Sequence, residues 1–95
     1  MLPATLTQTG VGSTPAVKTD DFTNPFNIGF GVVITGTVTY TVQHSFDGTN
    51  WFNHPIVAAQ SANADGNYAF PIAYVRLAVS AGTGTAVMTY IQAGV

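Results

Sequence analysis

The chain has 95 residues, too few for more than one domain, and only 6% of them are charged, against about 25% in an ordinary soluble domain. Lys18, Asp20, Asp21, Asp47, Asp65 and Arg76 are the whole charged set; two cations exclude a phosphate-tracking nucleic-acid surface and a polybasic membrane patch. The absence of Cys excludes disulfides and thiolate metal sites, and 46% hydrophobic residues at a net charge of −2 exclude the composition of a disordered chain.

Met1 to Thr5 lacks a basic stretch followed by an apolar one, so no signal peptide is expected. Leu6 to Val11 alternates weakly, with Thr5, Thr7 and Thr9 on one side, as an N-terminal strand or arm. Gly10 to Pro15 has the composition of a loop, and Ala16 to Phe22 that of a second short strand. Asn24-Pro25 marks a turn, because the residue before Pro is pushed out of the α region. Phe30 to Ile34 reads as a strand and is far too short an apolar run to span a membrane.

Thr37 to Phe46 carries the strongest pattern in the chain. Val38, Tyr40, Val42, His44 and Phe46 fall on one face, and Thr37, Thr39, Thr41, Gln43 and Ser45 on the other. Asp47-Gly48 closes this strand with a turn, since Gly supplies positive φ and Asp bonds its own backbone. Trp51-Phe52 and Ile56 to Ala59 form further short segments around Pro55, and Asp65-Gly66 reads as a second turn. Ala73 to Val79 alternates again, with Ala73, Val75, Leu77 and Val79 inward. Ala81 to Gly84 is expected as a hairpin loop and Thr85 to Gln92 as its returning strand.

The expected fold is all-β: one small antiparallel β-sandwich over residues 1–95, jelly-roll-like or immunoglobulin-like, with seven or eight short strands and negligible helix. Residues 1–27 are either an extended N-terminal arm or edge strands. Tyr40, Val42, Phe46, Trp51, Val75, Leu77 and Val79 are the expected core, with Trp51 plugging one end of the sandwich.

Chemistry-bearing constellations are sparse. His44 and Ser45 are strand neighbours that point to opposite faces, so they cannot form a dyad. His44 is expected partly buried and His54 in a loop, two imidazoles short of the three or four ligands that zinc takes. Asn63 to Asn67 has one carboxylate where a calcium loop needs several. No catalytic residue, metal site or cofactor is expected. Trp51, Phe52, Tyr68, Tyr74 and Tyr90 could build a sugar-stacking platform, although so small a core needs aromatics of its own.

The run Thr39 to Phe52, which contains Gln43-His44-Ser45-Phe46-Asp47-Gly48-Thr49-Asn50-Trp51, and the later run Ala73 to Ala86 together resemble small all-β modules of tailed-bacteriophage virions. The nearest likeness is to capsid decoration, or cementing, and head accessory proteins, over about residues 30 to 93. The resemblance implies a non-enzymatic protein on the outer capsid surface of a virion, with the major capsid protein as partner. The alternative is a receptor- or carbohydrate-binding sandwich of a fibre, spike or tail, because such modules outrange any single function. Capsid lattices present threefold sites, which implies a homotrimer. Leu2, Leu6, Phe22, Phe26 and Phe30 are candidate interface residues in the N-terminal third, unless they complete the sandwich as its first strands. Arg76 is expected to pair with Asp47 or Asp65 or to bridge to a partner.

Overall fold

The computed structural model describes residues 4–19 and 27–93. Nine strands make two antiparallel sheets: β1 (Ala4–Thr9), β2 (Gly12–Ser13), β3 (Val17–Lys18), β4 (Asn27–Thr35), β5 (Val38–Ser45), β6 (Trp51–Asn53), β7 (Ala64–Tyr68), β8 (Tyr74–Gly82) and β9 (Thr85–Ala93). One sheet runs β1-β9-β4-β7 and the other β2-β8-β5-β6, with β3 also on β8. Among the described residues there is no helix. β2 and β3 are two pieces of one edge, interrupted around Pro15, which has no N–H for the ladder. With that edge counted once, the first strand pairs the eighth, the second the seventh, the third the sixth and the fourth the fifth. A long hairpin rolled up in this nested way is a jelly roll, which decides between the two expected architectures.

Alternation along the strands builds the core. Leu6, Ile28, Phe30, Val32, Tyr68, Ala86, Met88 and Tyr90 point inward from one sheet, and Val38, Tyr40, Val42, Val75, Leu77 and Val79 from the other. Val57 and Ile72 close the layer from the loops. Five of the seven expected core residues are thus in place, but Phe46 and Trp51 are not. Ladder pairing stops at Ser45, whose Oγ accepts from the N–H groups of Asp47 (3.3 Å) and Gly48 (2.8 Å). The turn therefore begins one residue before the period-two pattern ends, and Phe46 swings out to solvent. Trp51 pairs opposite Ser45, whose side chain follows the outer face, so the indole lies outside the sandwich and does not plug its end.

Three other local expectations are corrected. Asp65-Gly66 lies inside β7, opposite Gly31 and Phe30, because a glycine is needed for close packing there. A Cβ on Gly66 would stand 3.0 Å from Phe30 Cζ and 3.3 Å from His54 Cε1. Residues 56–59 are not a strand, yet the segment from His54 to Gln60 still satisfies the free edge of β5 through His54 N–H to Val42 O (2.8 Å), Val42 N–H to Val57 O (3.0 Å) and reciprocal Tyr40–Gln60 bonds. The Ala81 to Gly84 connection is not a hairpin, since β8 and β9 belong to different sheets. It crosses the end of the sandwich, as does Gly36-Thr37 between β4 and β5. The two crossings are tied by Gly84 N–H to Thr37 O at 2.9 Å.

Candidate functional site

Two surfaces concentrate aromatic and polar side chains. The first lies where β5 leaves its ladder. Phe46 (57% exposed), Phe52 (50%) and Phe70 (41%) surround His44, which is itself buried. Their ring centroids lie 5.5 to 5.9 Å from the imidazole, and Phe46 and Phe52 are 6.0 Å apart. β5 places His44 at an inward position, β6 sets Phe52 directly opposite it, and Phe70 follows β7.

Beneath these rings, His44 Nδ1 and the Tyr68 hydroxyl are hydrogen-bonded at 2.9 Å. Burial holds His44 below the ordinary imidazole pKa and pushes the Tyr68 phenol up. Desolvation thus acts on both groups in the direction of their neutral forms. His54 lies in the loop after β6, as expected, but its side chain is not left to solvent. It is buried, with Nδ1 accepting from the N–H groups of Ile56 (3.1 Å) and Val57 (3.0 Å). Nε2 therefore carries the proton and donates to Asn67 O at 2.9 Å, clamping the 54–57 turn to β7. Among the described residues, no group of three His, Cys, Asp or Glu could hold a metal ion.

The turn after β5 is organised by Asp47. Its Oδ1 accepts from the N–H groups of Thr49 and Asn50, both at 2.8 Å, and from Ser45 Oγ at 3.0 Å; Oδ2 accepts from Asn50 Nδ2 at 2.8 Å. The Asn50 and Thr49 backbone donors hold the carboxyl far below the ordinary carboxylate range. A group depressed in this way contributes stability that is fully present above the unfolded carboxylate pKa, about 4, and is lost as pH falls toward the folded value. The urea midpoint of the wild-type chain should therefore fall more than that of Asp47→Asn between about pH 6 and pH 3. Parallel pH profiles of the two proteins would show that the carboxylate does not hold the turn.

The second surface is the outer face of the β2-β8-β5-β6 sheet. Gln43 stands between Arg76 and Asn53 in the ladder, and Ser45 between Tyr74 and Trp51. Arg76 pairs with neither Asp47 nor Asp65. It crosses β5 diagonally, and its Cζ sits 4.1 Å from the Trp51 ring centroid. Stacking leaves the cation half in water and gains the ring quadrupole, which a Coulombic pair with the distant Asp65 could not offer.

The remaining candidate interface residues fall elsewhere. Leu6 and Phe30 are core residues, each on the inward side of its strand, so neither side chain is offered to a partner as the interface reading required. Leu2, Phe22 and Phe26 lie outside the described residues. The exposed phenylalanines went unrecognised in the sequence because Phe46 fits the inward phase of its strand; Asp47-Gly48 was the available signal that the phase ends there.

No protein-family model matches the chain, and no curated protein matches it. Among solved structures, the chain is similar to one from Bacillus endospore appendages, described as a family of disulfide-linked pili. The TM-score is 0.63 at 15% identity, over 98% of this chain and 85% of that one. At that identity the likeness is one of fold: the whole described sandwich, including β1, belongs to a shared all-β architecture.

Proposed function

We propose that this chain is a non-enzymatic structural protein of a phage virion. It binds the outer capsid surface in many copies, with the major capsid protein as partner, and cements neighbouring capsid subunits. The observation that carries this reading is the set of three exposed phenylalanines on a surface with almost no charge to keep copies and partners apart. The resemblance of the Thr39 to Phe52 and Ala73 to Ala86 runs to decoration modules supports it. So does the fold likeness to a protein whose own description is that of a pilus, another assembly of repeated copies. This chain has no Cys, so copies are not linked by disulfides, and the layer is held by the number of its contacts, each one weak.

Self-association as a homotrimer belongs to the same proposal. With Leu6 and Phe30 inside the core, it falls to exposed residues such as Val33 and Ile91 on the outer face of the β1-β9-β4-β7 sheet. The rival sugar-binding reading has less support, because Arg76 occupies one face of the Trp51 indole that a sugar ring would need.

Particles stripped of the chain should lose contents at a lower temperature than complete ones, and adding the purified protein back should restore the difference. Quantitation should find hundreds of copies per particle. Equal heat resistance with and without the chain removes the cementing role, and a copy number of a few dozen or fewer assigns it to a fibre or tail.

A further inference from the structure

The only two basic residues of the chain, Lys18 and Arg76, stand on one face of one sheet. Lys18 pairs opposite Tyr74 on β8, and Arg76 lies two residues along the same strand. Asp65, by contrast, is on β7 in the other sheet.

Arg76 is held there with unusual definition. Its guanidinium lies over the Trp51 ring, and its Nε–H donates to Gln43 Oε1 at 2.8 Å. Gln43 Nε2 donates in turn to Asn53 Oδ1 at 3.0 Å, which fixes the amide with its oxygen toward the arginine. Nε and one ring face are thus engaged, while the two terminal nitrogens have no partner among the described residues. Partial burial holds the Arg76 pKa below its ordinary value. The two terminal nitrogens of a planar guanidinium present parallel N–H bonds that match the two oxygens of a carboxylate.

We infer that Arg76, stacked on Trp51 and anchored by Gln43, is a carboxylate-binding fork through which the outer face of the β2-β8-β5-β6 sheet engages an acidic side chain of a protein partner. The inference rests on the reading of the chain as a capsid-binding protein and names the contact it uses. The planar fork, with its terminal nitrogens open, selects a carboxylate, and Trp, Tyr and Arg side by side are the residue types that dominate protein interfaces. Two cations cannot follow a phosphate backbone, which leaves nucleic acid aside. Pre-ordering of the guanidinium matters because an arginine already held in place loses less freedom when the carboxylate arrives.

Trp51 is the only tryptophan, so its emission and the Arg76 side-chain NMR signals both report on this site. Titration of the full chain with sodium acetate, at ionic strength held constant with chloride, should shift both saturably. Arg76→Lys keeps the charge but removes the fork, and should weaken acetate binding at least tenfold while circular dichroism stays unchanged. The same variant should bind stripped capsids at least tenfold more weakly than wild type. Equal acetate binding by the two proteins, or equal capsid binding, overturns the fork while leaving the cementing role standing. Failure of wild type to bind capsids overturns the cementing role instead, and the acetate titration then decides the fork alone. Tighter binding of sialyllactose than of acetate by tenfold or more overturns the assignment to a protein partner.

Discussion

Gly82→Ala is expected to leave little folded protein, the most severe outcome of any single methyl group added to this chain. Gly82 has φ +96°, a conformation L side chains rarely adopt, and it sits at the crossing from β8 to β9. A Cβ there would overlap the Thr37 carbonyl oxygen and stand 2.9 Å from both Thr37 C and Val38 Cα. All three are backbone atoms, and Thr37 O is also the acceptor of the 2.9 Å bond from Gly84 N–H that ties the two crossings together. Nothing flexible is available to move. The cost should be about 4 kcal/mol or more, most of the stability of a domain this small. Gly10→Ala is the control, because Gly10 has φ +73° with nothing within 4 Å of a Cβ. That variant meets only the backbone penalty, about 1–2 kcal/mol. Urea unfolding followed by circular dichroism measures both, and equal losses would mean that the crossing tolerates a side chain.

Leu77→Ala should cost about 2–4 kcal/mol, the transfer free energy of the lost methyls plus the cavity left behind. Leu77 is fully buried at the middle of β8, opposite Val42 on β5. Its backbone is fixed on the other side by Thr14, whose N–H donates to Leu77 O at 2.9 Å and whose Oγ1 accepts from Leu77 N–H at 3.0 Å. With both neighbouring strands anchored, the sheet cannot collapse into the void. Phe46→Ala removes a larger side chain, yet should change the stability of the isolated chain by less than about 1 kcal/mol, because Phe46 is already mostly in water. Its effect belongs to partner binding. A large loss of stability in Phe46→Ala, or none in Leu77→Ala, would mean that the inward face of β5 and β8 has been assigned wrongly.

The contrast between Leu77 and Phe46 marks where reading along the chain stops working. Strand identity and phase were legible at β5 and β8 because period-two alternation is a local property: each inward residue is apolar whatever lies across the sheet. The position of β9, the absence of helix in the described segments and the sandwich class followed from the same periodicity with Gly and Asx punctuation, whereas β4 begins at Asn27, three residues before the expected Phe30. The end of that periodicity is a hydrogen-bonding event at Ser45 and Asp47, and alternation carries no information about it.

What the sequence by itself determined is therefore an all-β chain with two well-phased central strands, a surface almost free of charge, and too few cations or thiolates for nucleic-acid or thiolate-metal chemistry. Tertiary structure alone decided the jelly-roll pairing, since the choice between pairing β8 with β9 and sending them to different sheets depends on glycine contacts between crossings far apart in sequence. It also decided that Asp65-Gly66 lies in a strand, that His54 is a buried clamp, and that Arg76 stacks on Trp51 instead of meeting an acid. Each of these rests on a neighbour dozens of residues away or on the opposite sheet, and non-local packing of that kind leaves no periodic trace in the residues that take part in it.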